Sequence, residues 1–160
     1  MKQVEPSLNS YLSFRLDHET FGVNVSKVIE ILEVPHITKI PKAPPFMRGV
    51  INLRGTVLPV VDARLKLGLK KIAGSIDTCI IVFRIVISTE EVLVGALVDA
   101  VQEVFEMDES RLMPPPSIGG KFRTDFIQGM ARKEDDFVMI LDVDKIFTSQ
   151  EIIHLHAELE

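Results

Sequence analysis

An internal repeat constrains this chain more than any other feature of its sequence. At an offset of 73 residues, "FGVNVSKVIEILEV" matches "VGALVDAVQEVFEM", and the alignment pairs Glu30 with Glu103. At an offset of 80 residues, "GVINLRGTVLPVVD" matches "GMARKEDDFVMILD", and Asp62 falls opposite Asp142, where both are candidate helix caps. Neither alignment needs a gap, and the offset changes within a proline-rich connection, where an insertion costs little. The sequence therefore predicts two similar lobes of about 70 residues each.

Both copies carry the alternating pattern of short β-strands. "YLSFRL" and the following "FGVNV" alternate apolar and polar residues around a turn, which is typical of a hairpin. "SKVIEILEV" is rich in β-branched residues and predicts a short strand with a helical turn. The four prolines of "PHITKIPKAPPF" exclude a long helix there. Because closure removes exposed sheet edges, we expect each lobe to be a small β-barrel.

The repeat also sets the expected domain organisation. We predict a single domain over residues 8–160, with a first lobe at about 10–70, a second lobe at about 76–147 and a terminal helix at about 149–158. The helix is expected because "SQEIIHLHAELE" places apolar residues on one helical face. The two lobes would bury apolar faces against each other as well as within themselves.

Composition points to a protein partner. The chain is 46% hydrophobic, which is ample for a core, and its net charge of -5 comes without a basic block, which argues against nucleic acid or anionic lipid. The apolar stretch "CIIVFRIVI" is too short to span a bilayer, and "MKQVEPSLNS" has no signal-peptide core. We therefore expect a cytoplasmic protein without direct membrane insertion. The single cysteine, Cys79, excludes an internal disulfide and a cysteine zinc cluster.

No catalytic constellation is found. The sequence contains no GxSxG, GxxxxGK[ST], GxGxxG or HExxH motif. His154 and His156 are two residues apart on the expected terminal helix and point away from each other, which makes a poor metal pair. We predict a protein that is not an enzyme and that uses no cofactor and no metal.

Arg54 is the position where the two copies differ most informatively. Positions that agree between the lobes are candidates for structure, whereas Arg54 and Gly55 fall opposite Glu134 and Asp135. The alternation and the turn glycine of "GVINLRGTVLPVVD" predict a hairpin with Arg54 at its turn. Tight hairpin turns favour Asn or Asp with Gly, so the arginine does not help the turn itself. Its planar guanidinium and apolar stem suit a protein interface. A partner contact and a solvated turn charge both remain open at this point.

Glu30 and Gly49 are ambiguous by the same comparison. Glu30 matches Glu103, and Gly49 matches Gly129. A match favours a structural role, such as a strand glycine or a bulge. For Glu30 a structural role and a functional role are left equally open.

Several segments, taken in order and spacing, resemble the CheW family of chemotaxis coupling proteins over nearly the whole chain. They are "FGVNVSKVIEILE", "ITKIPKAPPFMRGVINLRGTVLPVVDARLKLGL", "ALVDAVQEV" and "IQGMARKEDDFVMILDVDKIF". The resemblance implies a mainly β fold of two five-stranded SH3-like barrels that share a core, with short helices and a C-terminal helix. It also implies a non-enzymatic adaptor that joins the regulatory domain of the histidine kinase CheA to the cytoplasmic tip of chemoreceptors.

The resemblance also implies residues for receptor and kinase coupling. The matching positions, with the adjacent Asn52, are Val28, Glu30, Gly49, Asn52, Arg54 and Gly55. The expected partner of the groove between the lobes is a helical receptor hairpin, and a barrel end would meet the homologous barrel of the kinase. We expect a monomer when the protein is isolated and a member of a receptor array in the cell.

Two alternatives remain open. The first is a coupling protein of the same fold in another pathway, for example one that controls type IV pili. The second is a double barrel that binds a small ligand.

Overall fold

Short β-strands dominate the protein. The computed structural model describes residues 8–70, 72–115 and 126–147. The strands in these ranges are β1 (Leu8–Leu16), β2 (Glu19–Asn24), β3 (Val28–Glu33), β4 (Met47–Leu53), β5 (Thr56–Asp62), β6 (Cys79–Ile87), β7 (Glu90–Val98), β8 (Ala100–Asp108), β9 (Ile127–Lys133) and β10 (Asp136–Leu141). The helices are α1 (Ala63–Lys66), α2 (Val143–Phe147) and the 3-10 turns Val25–Lys27 and Glu109–Arg111. The terminal helix predicted at 149–158 lies outside the described residues.

The strands form two five-stranded sheets. We call the sheet ordered β8-β1-β2-β10-β9 lobe I and the sheet ordered β3-β6-β7-β5-β4 lobe II. Adding five to each strand number of lobe I, with β1 taken to follow β10, gives the strand order of lobe II. The two sheets therefore have the same topology. The predicted mainly β fold with two equivalent five-stranded lobes is therefore confirmed.

The predicted lobe boundaries need a correction, because neither lobe is a continuous piece of chain. Lobe I takes β1 and β2 from the first copy of the repeat and β8 to β10 from the second, so the ranges 10–70 and 76–147 each contain strands of both sheets. The chain crosses between the sheets through Val25–Lys27 after β2 and through Asp99 after β7. As a result, β3 pairs with β6, and β8 pairs with β1. Self-comparison identifies equivalent strands, but it carries no information on which copy each strand pairs with.

Matched glycines serve the same packing role in the two lobes. Gly22 pairs with Ile140 across parallel strands, and the matched Gly95 pairs with Val60 in the same way. A Cβ on Gly22 would lie 3.0 Å from Cδ1 of Ile140, and a Cβ on Gly95 would lie 2.9 Å from Cγ2 of Ile80. Both positions are too close for a larger residue without repacking, which gives their match in the repeat a structural cause.

Three apolar clusters among the described residues stabilise the fold. A large one lies between the sheets and includes Leu12, Phe14, Phe21, Ile81, Phe83 and Ile85. The interior of lobe II holds Ile51, Leu53, Leu58, Val60, Ile80, Val82 and Leu97, and the interior of lobe I holds Tyr11, Ala131, Val138 and Ile140. The predicted core shared between the lobes is therefore confirmed.

A buried arginine ties the two lobes together. Arg64 lies at the start of α1, next to lobe II, and its side chain is 8% exposed. Its Nη1 lies 2.6 Å from Oδ2 of Asp99, and its Nη2 lies 3.4 Å from Oδ1 of Asp17 in the β1–β2 turn of lobe I. The same Asp99 oxygen accepts the backbone N–H of Asp17 at 2.7 Å. These bonds fix the β1–β2 turn of lobe I against the start of α1.

Candidate functional site

The turn between β4 and β5 presents Arg54 at the end of lobe II. Arg54 and Gly55 have φ angles of 50° and 88°, which are the positive values that a two-residue type I′ hairpin turn requires. The Oδ1 of Asn52 accepts the backbone N–H of Gly55 at 2.7 Å. The hairpin predicted from the sequence is confirmed, with a non-glycine residue in the left-handed region at its tip.

Arg54 forms an ion pair with Glu30. Nη2 of Arg54 bonds to Oε2 of Glu30, and Nη1 lies 3.4 Å from Oε1. β3 and β4 are the two edges of the lobe II sheet, and Glu30 lies on β3, whereas Arg54 follows β4. The ion pair therefore connects one edge of the sheet to the hairpin at the other edge.

Both charges of this pair are maintained at neutral pH. The hydrogen bond from Arg54 lowers the pKa of the Glu30 carboxyl, and the bond to Glu30 raises the pKa of the Arg54 guanidinium. The Arg54 side chain is nevertheless 69% exposed. Because exposed ion pairs contribute little to stability, the fold does not explain the arginine. The guanidinium is held in place and remains accessible to a partner.

Lobe I has an equivalent ion pair between its two edge strands, but the cation occupies a different position. Glu103, the repeat match of Glu30, bonds to Nζ of Lys133, whose ammonium lies 5.9 Å from the centre of the Phe105 ring. Lys133 is the last residue of β9, so it precedes the turn, where Arg54 occupies the turn itself. The turn position matched to Arg54 is Glu134, with a φ of 57°.

Exposed apolar side chains lie where the two lobes meet. Ile31 on β3 is 45% exposed and pairs with Ile81, and Val104 on β8 is 59% exposed and pairs with Leu12. Directly paired residues of antiparallel strands project on the same face of a sheet. Since Ile81 and Leu12 belong to the core between the lobes, Ile31 and Val104 lie at its margins.

The structure brings four of the six predicted site residues together at the β4–β5 turn, while Val28 lies at the start of β3 and Gly49 lies within β4. Glu30 and Arg54 are paired, while Asn52 and Gly55 form the same turn. Val28 is partly buried against the shared core.

Gly49 has a backbone reason to be glycine. It is buried, its φ is 142°, and a Cβ would lie 2.2 Å from the carbonyl oxygen of Thr38. Thr38 and Val50 exchange two backbone hydrogen bonds of 2.9 Å at this point. The match of Gly49 with Gly129 indicated this structural role.

Neither ion pair was predicted from the sequence, although Glu30 was identified as a candidate site residue. The match between Glu30 and Glu103 was the available signal, because two equivalent carboxylates on edge strands can take equivalent cations as partners. The cations Arg54 and Lys133 are offset by one position in the alignment, which concealed the equivalence.

The described residues contain neither a candidate metal cluster nor a helix that could span a membrane. Within 8–70, 72–115 and 126–147, no group of three or more His, Cys, Asp or Glu side chains is placed to hold a metal ion. In the same ranges, no helix is long and apolar enough to cross a membrane.

Comparison with known proteins assigns the family. The CheW-like domain profile matches residues 10–151 of the chain. The chain belongs to the CheW family. The resemblance drawn from the sequence is therefore confirmed, and the chain is a scaffold protein of chemotaxis signalling.

Individual CheW proteins are similar over most of their length. Chemotaxis protein CheW of Rhizobium meliloti is 34% identical over 140 residues, which cover 88% of this chain and 88% of that protein. Chemotaxis protein CheW of Thermotoga maritima is 33% identical over 148 residues, which cover 91% of this chain and 93% of that protein. The crystal structure of the scaffolding protein TtCheW from Thermoanaerobacter tengcongensis is similar with a TM-score of 0.77 at 34% identity, over 89% of this chain and 94% of that one.

Proposed function

We propose that this CheW-family protein is a non-enzymatic adaptor of the cytoplasm that couples the cytoplasmic tip of chemoreceptors to the regulatory domain of the histidine kinase CheA. The observation that carries the proposal is the exposed guanidinium of Arg54, held by Glu30 at the end of lobe II. A charge that is oriented but not buried is available to a partner without a large desolvation cost.

The receptor tip would occupy the groove between the lobes. A helical hairpin binds such a groove through apolar anchors, with a few charges that fix its register. The exposed Ile31 and Val104, at the margins of the shared core, would supply apolar contacts. Arg54 and Glu30 would supply the charges.

The six predicted coupling residues would contribute in different ways. Arg54 and Glu30 would contact the partner directly. Asn52 and Gly55 shape the turn that carries Arg54. Val28 and Gly49 would act through the shape of lobe II, since Val28 packs on the shared core and Gly49 lies under Thr38.

The kinase would bind at a barrel end. Contact there would rest on shape and apolar area, as between two barrels of the same kind, and we assign no individual residues to it. The isolated protein would be a monomer and would enter a receptor array in the cell.

A co-retention experiment tests the coupling. A soluble fragment of a chemoreceptor tip from the organism that encodes this chain is immobilised, and CheA from the same organism is added with or without the chain. We expect the chain to increase the CheA retained and the Arg54→Ala variant to retain much less. Equal retention of CheA with and without the native chain would overturn the adaptor proposal. Full retention of CheA with the Arg54→Ala variant would show that Arg54 is not part of the coupling site.

The pathway is decided by the same experiment. Receptor and kinase pairs from each chemosensory pathway of the organism, including one that controls type IV pili, are tested separately. The pair whose kinase is retained identifies the pathway.

A further inference from the structure

We infer that Asn52 is a positioning residue, which acts on the partner through Arg54 and makes no essential contact of its own. The inference rests on the proposed function, because it assigns how the Arg54 site is held in its binding geometry. It replaces the direct coupling role that the resemblance allowed for Asn52.

The first observation is the conformation of the Arg54 backbone. Its φ of 50° lies in the left-handed region, which is unfavourable for any residue with a Cβ. Glycine follows it at a φ of 88° and accepts that geometry without cost, but arginine does not. Glu134 adopts the same conformation in lobe I, with a φ of 57°, so the hairpin itself permits it, and an interaction outside Arg54 would hold the arginine in it more firmly.

The hydrogen bond from Asn52 supplies that interaction. Its Oδ1 accepts the N–H of Gly55 at 2.7 Å and so closes a ring that contains the Arg54 backbone. Asparagine is suited to this task because its short side chain bonds readily to backbone groups nearby in the chain. Glu30 fixes the other end of Arg54, at the guanidinium. Arg54 is thus held at its backbone and at its charged end before any partner arrives, which lowers the entropy cost of binding.

The equivalent turn of lobe I lacks this arrangement. The residue matched to Asn52 is Arg132, which has no side-chain acceptor. The cation that pairs with Glu103 in lobe I, Lys133, lies on the strand β9 and not on the turn. The asparagine and the turn arginine therefore occur together in lobe II and are both replaced in lobe I, as expected if one serves the other.

A double-mutant cycle tests the inference. The dissociation constant for a soluble chemoreceptor-tip fragment is measured for the native chain, Asn52→Ala, Arg54→Ala and the double variant. We expect Asn52→Ala to weaken binding about fivefold, as the loss of one hydrogen bond would, and to have no further effect once Arg54 is alanine. Asn52→Asp, which keeps the acceptor, should bind within about twofold of the native chain. Arg132→Ala is the matched control and should bind like the native chain.

Each outcome decides a separate point. If Arg54→Ala weakens binding and Asn52→Ala does not, the inference is wrong and the proposed function stands. If Asn52→Ala weakens binding equally in the presence and absence of Arg54, or if Asn52→Asp is as weak as Asn52→Ala, then Asn52 contacts the partner itself. If Arg54→Ala binds like the native chain, the proposed site fails and the inference fails with it. A melting temperature of Asn52→Ala more than about 5 °C below native would assign it a structural role and overturn the inference.

Discussion

Glu30 and Glu103 occupy equivalent positions on the edge strands β3 and β8, and each forms an ion pair with a cation from the hairpin at the opposite edge of its own sheet. This common role accounts for the match between the two glutamates. The two cations differ in position, since Lys133 belongs to a strand and Arg54 belongs to a turn. The ion pair is therefore shared by both lobes, and the presentation of a guanidinium at the turn distinguishes lobe II.

Two glycines of the β4–β5 hairpin are expected to differ strongly in their tolerance of alanine. Gly49→Ala would place a Cβ 2.2 Å from the Thr38 carbonyl oxygen at a φ of 142°, and we predict a loss of about 3 kcal/mol or more in the free energy of unfolding. Gly55→Ala meets only the cost of its positive φ, because no heavy atom beyond its own chain neighbours lies within 4 Å of the added Cβ, and should lose about 1 kcal/mol. Urea unfolding of the two variants checks the prediction, and similar losses would contradict it.

The buried network around Arg64 predicts a large effect of truncation. Arg64→Ala leaves the Asp99 carboxylate, which is only 14% exposed, without its guanidinium, and we expect a loss of about 3 to 5 kcal/mol in the free energy of unfolding. Asp17→Asn should cost less, since its contact to Arg64 is longer, at 3.4 Å. Urea denaturation of both variants provides the test. An Arg64→Ala protein within about 1 kcal/mol of native would show that the network does not hold the lobes together.

The Glu30 carboxyl should titrate below the usual range of glutamate. The bond to Arg54 lowers its pKa in the folded protein, so the pair is complete above the unfolded pKa of glutamate and is lost as the pH falls through the lower folded pKa. Carbon-13 NMR of the side-chain carboxyl measures this titration directly. In Arg54→Ala the midpoint should move upward. An unchanged midpoint would mean that the pair does not persist in solution.

The strands and the repeat were predictable because they depend on local pattern. Apolar alternation predicted the hairpins, and the β-branched run after Asn24 predicted a short strand with a helical turn, which the structure has as β3 and Val25–Lys27. Asp62 was predicted as a helix cap, and its Oδ1 accepts the N–H of Arg64 at 3.0 Å.

The exchange of strands between the lobes was not predictable from the same pattern. The crossing segments Val25–Lys27 and Asp99 are as short as ordinary hairpin connections, so nothing in their length signals a change of sheet. Which hairpin β3 joins depends on the fit of apolar faces across the whole core. The pairing of Glu30 with Arg54 escaped the sequence for the same reason, because 24 residues separate them and the sheet order brings them together.

The most direct test of the account is the affinity of Arg54→Ala for a soluble chemoreceptor-tip fragment, measured by calorimetry beside its melting temperature, with Lys133→Ala as the matched control from lobe I. We predict that Arg54→Ala binds at least about tenfold more weakly while its melting temperature stays within about 2 °C of native, and that Lys133→Ala binds normally. Native affinity in Arg54→Ala would contradict the account, and so would a weakening accompanied by a comparable loss of thermal stability.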